Sequence, residues 1–197
     1  MFIKNKKGFT LVELMIAMGM FAVVSSAIMV FMVTGTTNFR KNRNNAEIQK
    51  NAQLTVMQLT TFTQEALYAD YDGTNLTFYT PKYFAPDAVL TDDQKYGHKD
   101  ALTKKVVAYD STDKCLYFKE YDNINASVAD LLGSNKKDYL MTDCVVDFDV
   151  DTSNLDVNNT ITITLGMKKE ALSYNLTQVL KLRNAASAPV TGSALGI

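Results

Sequence analysis

The sequence predicts an α+β fold: one long N-terminal helix, apolar in its first half, followed by a mainly antiparallel β-sheet head. Three observations carry this prediction. No charged residue occurs from Leu14 to Phe39. Apolar residues then recur at helical spacing from Ile48 to Ala66, and no proline interrupts the chain between Phe9 and Thr80. Beyond Gly73, short stretches alternate apolar and polar side chains, the period of half-buried strands.

The charge-free run is the first element. At about 1.5 Å per residue it is long enough to cross a hydrocarbon core roughly 30 Å thick. Mean hydropathy of the whole chain is only -0.08, so the remainder is distinctly polar. One membrane span plus one soluble domain fits 197 residues. Lys4, Lys6 and Lys7 ahead of the run resemble the basic region of a secretory signal, but such signals have shorter apolar regions. Ser25, Ser26 and Ala27 supply small residues inside the run, so pattern alone leaves that minor reading open. Cations flank both ends, Lys4, Lys6 and Lys7 against Arg40, Lys41 and Arg43, and charge alone does not orient the span.

Glu13 stands at the threshold of the run. Thr10-x-x-Glu13 has the form of a capping box, with Thr10 at the N-cap and Glu13 three residues on. Phe9 and Leu14 occupy the positions of a hydrophobic staple. Capping accounts for Glu13 without any further function, but not for the Lys-Lys-Gly-Phe that precedes it.

The stretch KKGFTLVELMIAMGMFAVV, from Lys6 to Val24, resembles the N-terminal processing segment of type IV prepilins and of the pseudopilins of type II secretion. The resemblance covers roughly the first 30 residues and rests on leader charge, glycine, phenylalanine, glutamate and apolar length together. It implies cleavage by a prepilin peptidase between Gly8 and Phe9, and N-methylation of the new terminus at Phe9. It implies that Glu13 pairs with the Phe9 amine of a neighbouring subunit during assembly. It further implies a leader in the cytoplasm, a single pass through the inner membrane, a periplasmic head, and final residence in a periplasmic or extracellular filament. The implied fold is type IV pilin-like, and the implied role is a structural subunit of a pilus or secretion filament, not an enzyme. The implied partners are other pilin or pseudopilin subunits, the peptidase, and inner-membrane lipid before assembly. The rival from another class is a membrane-tethered periplasmic binding module whose signal anchor stays uncut.

The helix is expected to continue past the span. Ile48, Ala52, Val56, Leu59, Phe62 and Ala66 form one apolar stripe, with Gln49, Lys50, Gln53, Gln58 and Gln64 between them. Helix from Leu11 to about Tyr68 would measure about 85 Å. Asp72-Gly73 signals a turn. Leu76–Tyr79, Lys105–Tyr109 and Cys115–Tyr121 read as strands, with Asp110–Lys114 the turn of a hairpin. Pro81–Asp100 reads as a loop, and Ala126–Leu132 as one or two helical turns. In the next strand, Cys144, Val146, Phe148 and Val150 are expected on one face and Asp147 and Asp149 on the other. Ile161, Ile163 and Leu165 point inward in another strand, and Leu172–Leu182 closes a last hairpin. The boundaries follow: leader 1–8, helix 9–69 with the span ending at about 37, head 70–183, and a small, polar, flexible tail at 184–197. The closing Leu182-Arg183-Asn184 resembles the end of J-type minor pseudopilins and W-type minor pilins. With a proline-free helix and a sizeable head, that likeness favours a minor, tip-located subunit.

The inventory for other chemistry is thin. His98 is the single histidine and lies in a polar loop with no partner motif. Cys115 and Cys144 are the only cysteines, and no CxxC occurs. A Cys115–Cys144 disulfide suits an oxidising compartment, but strand parity places the two on opposite faces unless a bulge intervenes. Asp147, Asp149 and Asp151, with Asp143 and Asp156 nearby, lie too much on one face to supply the converging oxygens of a calcium site. No metal or cofactor is expected. Without Lys4, Lys6 and Lys7, 17 of the 20 cations face 21 carboxylates, a net side-chain charge of -4. Nucleic acid is therefore not the expected partner, and Arg40, Lys41 and Arg43 read as a cationic anchor beside the span.

Overall fold

The computed structural model describes residues 8–82, 102–133 and 135–183. Two compact units divide the chain, Met1–Asn45 and Ala46–Ile197. Helix α1 runs over Leu11–Glu65. Within the first unit, its apolar side chains are exposed from Leu11 to Phe39. Ser26 and Thr37 turn their hydroxyls back onto the carbonyls of Val23 and Val33, at 2.7 and 2.8 Å. Polar side chains satisfied this way sit in an apolar run at little cost.

Within the second unit, Ile48, Ala52, Val56 and Leu59 of α1 are buried, Phe62 is half-buried, and Ala66 is buried just beyond the helix end. This is the stripe expected from the sequence. The helix stops at Glu65, a little before the expected limit. Ala66 still donates to the Phe62 carbonyl at 3.0 Å, but Leu67 donates to Tyr79 at 2.8 Å, so the backbone has passed from helix to sheet.

The described strands form two antiparallel sheets. The first is β1 (Tyr68–Tyr71), β2 (Asn75–Pro81), β3 (Leu102–Asp110), β4 (Cys115–Tyr121) and β5 (Leu140–Thr142), in that order. The second is β6 (Val145–Asp151), β7 (Thr160–Lys169) and β8 (Leu172–Lys181). A short helix, α2 (Leu155–Asn158), joins β6 to β7. Asp72-Gly73 is a turn as expected, but it joins β1 to β2. The Asp72 carboxylate accepts from the Thr74 and Asn75 amides at 2.8 and 2.6 Å, and Gly73 has φ +90°, open to glycine at no steric cost. The expected hairpin at Asp110–Lys114 is also present, with Asp110 paired to Cys115.

One core joins the buried stripe of α1 to both sheets: Leu76, Phe78, Val107 and Leu116 from the first, Phe148, Ile161, Ile163 and Leu165 from the second. Phe62 stacks on Phe118 with ring centroids 4.5 Å apart. Two ion pairs tie α1 to the strands, Lys105–Glu65 at 2.5 Å and Lys169–Glu47 at 2.7 Å.

The second face of the five-stranded sheet is covered too. Val106, Ala108, Tyr117 and Tyr121 pack there against Leu131. Three consecutive buried residues, Val106 to Ala108, follow from this two-sided cover. The cover is a strap between β4 and β5. Where one or two helical turns are expected at 126–132, the backbone makes tight turns with bonds three residues apart, Leu131 donating to Val128 and Gly133 to Asp130. Side chains from the strands fix it. Lys119 donates to the Asp130 carboxylate and to the Tyr139 hydroxyl, and Tyr121 donates to Asp130 at 2.8 Å. Lys104 donates to the Ala126 carbonyl at 2.9 Å, and Lys136 pairs with Asp110 and Asp113 at 2.7 and 2.6 Å. Burial, with help from neighbouring groups, pushes the Tyr117 hydroxyl up to about 12, so it stays neutral beneath the strap.

One face assignment is corrected. Val145, not Val146, points into the core beside Phe148 and Val150, and Val146 is 38% exposed. The β6–β7 register shifts here, with Val145 opposite Met167 and Asp147 opposite Gly166. The extra residue of this bulge reverses the alternation upstream of Asp147.

Candidate functional site at the start of the helix

The residues singled out by sequence converge at the beginning of α1. Gly8, Phe9 and Thr10 precede the helix in non-helical backbone. Among the described residues nothing lies within 4 Å of where a Gly8 side chain would project, and Phe9 is 90% exposed. The Gly8–Phe9 peptide is therefore accessible from solvent.

Thr10 and Glu13 form the expected capping box. Glu13 Oε2 accepts from the Thr10 amide at 2.9 Å and from the Thr10 hydroxyl at 3.0 Å. In return, Thr10 Oγ1 accepts from the Glu13 amide at 3.3 Å. Leu14 donates to the Thr10 carbonyl at 3.2 Å, the first helical bond after the cap. These bonds satisfy amides that a helix start otherwise leaves open. Both bonds from Thr10 go to Oε2. A carboxylate has a second oxygen with its own lone pairs, so capping by Oε2 leaves Oε1 able to accept from a cation brought alongside.

The other candidates lie apart from this terminus. Arg40, Lys41 and Arg43 are exposed on α1. Asp147, Asp149 and Asp151 are exposed along β6, and no metal-holding group of residues occurs among those described. Cys115 and Cys144 are free thiols in this structure. Cys144 packs against the core around α1, and Cys115 against the cluster on the opposite face of the five-stranded sheet. Burial pushes both thiols up, toward the unreactive protonated form. His98, most of the Pro81–Asp100 loop and the tail 184–197 lie outside the described residues. Sequence reading missed the polar network under the strap. Its lysines and aspartates are far apart in sequence, and no local pattern announces them.

A helix long and apolar enough to cross a membrane, opened by an exposed and capped terminus and followed by antiparallel sheets, gives an α+β architecture that matches the type IV pilin-like fold. Residues 3–29 match the family model for the prokaryotic N-terminal methylation motif. That motif supports a precursor like those of type IV pilins and pseudopilins, and points to a family of structural subunits. No curated protein and no solved structure matches the chain.

Proposed function

We propose that the chain is a structural subunit of a type IV pilus or type II secretion filament, without catalytic activity of its own. A prepilin peptidase cuts it between Gly8 and Phe9, and Phe9 is then N-methylated. Before assembly it sits in the inner membrane with the leader cytoplasmic and the head periplasmic. It joins the filament by burying the first half of α1 among the helices of other subunits.

The observation that carries this reading is the exposed Gly8–Phe9 peptide directly ahead of a capped helix that carries no charge from Leu14 to Phe39. Cleavage there leaves a cationic amine on Phe9, in the same layer as Glu13 of a neighbouring helix. Among packed apolar helices such a pair is desolvated, and it favours one stagger over others. A minor, tip-located position is favoured by a helix without proline from Leu11 to Glu65 and by a head with two sheets.

Shear-released filaments, or the secretion complex extracted from membranes, test the assignment. They should contain the parent chain and lack a Gly8→Val variant that the peptidase cannot process. Equal incorporation of both would contradict the reading.

A further inference from the structure

We infer that Arg40, Lys41 and Arg43 form a docking site for anionic phospholipid headgroups in the leaflet opposite the N-terminus. The inference rests on the membrane reading above and adds the lipid class and the residues that select it.

Position along the helix carries it. Leu14–Val33 at about 1.5 Å per residue spans about 30 Å, the thickness of the hydrocarbon core. The next residues, Thr34 to Asn38, are polar or small but uncharged, and Thr36 and Thr37 return their hydroxyls to the carbonyls of Met32 and Val33. Arg40 then lies about 10 Å beyond Val33, and Arg43 about 15 Å beyond it. Helical side chains tilt toward the N-terminus, so these three long cations reach back toward the phosphate plane.

Composition and azimuth agree with position. No carboxylate occurs in the sequence between Glu13 and Glu47, so the local sequence around the three residues is cationic. At about 100° per residue, Arg43, Arg40 and Lys41 spread over an arc of about 160° on one side of the helix. All three are exposed, and all lie in the unit that carries the span. A one-sided crescent of three cations at this depth is complementary to phosphate-bearing headgroups and favours those with net negative charge.

The test reads lipid selectivity of the inserted full-length chain. It is reconstituted in phosphatidylcholine vesicles containing a trace of spin-labelled phosphatidylglycerol or spin-labelled phosphatidylcholine. Both proteins compared carry K4Q/K6Q/K7Q, so that only the far-side cations differ, and one also carries R40Q/K41Q/R43Q. The first should hold phosphatidylglycerol over phosphatidylcholine by roughly fivefold or more, falling as salt rises. The second should show selectivity within about twofold of one. Equal selectivity in the two proteins overturns the site. So does duplex DNA binding that only the second protein loses, without any lipid selectivity. Alkaline extraction of native membranes separates this outcome from failure of the membrane reading itself, in which the chain would be released.

Discussion

Thr10 and Glu13 cap one another, and both Thr10 donors converge on a single oxygen of the Glu13 carboxylate. The cap and the proposed intersubunit pair therefore use different atoms of one side chain, and substitution can part them. Glutamine at this position keeps an oxygen for the Thr10 amide but loses the charge. Alanine loses both.

Glu13→Gln should insert, be cleaved and keep its helix start, yet enter filaments poorly. Glu13→Ala should show the same assembly defect with a frayed first turn. Thr10→Ala weakens the cap by about 1 kcal/mol and should leave assembly largely intact. Filament yield beside backbone amide exchange at Leu11–Leu14 checks all three. Normal filaments from Glu13→Gln would return the residue to capping alone.

The bulge in β6 makes a sharper claim than average burial does. Val145→Ala removes fully buried methyls and should cost about 1–2 kcal/mol, whereas Val146→Ala should stay within about 0.5 kcal/mol. Gly166 lies opposite, where an added Cβ would meet the Asp147 Cβ at 2.9 Å. Gly166→Ala should therefore cost about 1–3 kcal/mol by overpacking. Urea unfolding of the full chain in detergent, followed by tyrosine fluorescence, measures each. Reversed costs at Val145 and Val146 would remove the bulge.

The strap should weaken in acid. Hydrogen bonds from Lys136, outweighing burial and joined by the Thr112 and Asp113 amides, hold Asp110 below the ordinary carboxylate range. Its contribution is present above the unfolded value of about 3.9 and is lost as pH falls through the lower folded value. Lys136 is raised by hydrogen bonds to Asp110 and Asp113, so its share persists until pH passes well above the ordinary lysine range. Lys136→Gln should thus destabilise the head at pH 7, and the difference from the parent should shrink steadily below about pH 4. A difference that does not change with pH would mean that Lys136 acts through packing, not charge.

What could be read from sequence divides along the range of the forces. The cap, the stripe Ile48–Ala66 and the trio Ile161, Ile163 and Leu165 depend on spacings of two, three or four residues, so local pattern placed them. The face of Val145 depends on its amide bonding to the Lys114 carbonyl at 2.8 Å and on the register against β7, both set by the assembled sheets. The tethering of the strap is likewise set by the assembled sheet. Ile124, Val128 and Leu131 have near-helical spacing, but Lys119 and Lys136 bind the segment down as turns across the sheet. At the candidate site the Thr10–Glu13 cap was legible because its partners lie three residues apart and need no tertiary context.

The most direct measurement is the mass of the N-terminal peptide of the protein isolated from cells with an active prepilin peptidase. The expected product is a chain that begins at Phe9 and carries one N-methyl group. A chain that begins at Met1, or is cut anywhere other than between Gly8 and Phe9, would contradict the proposed processing.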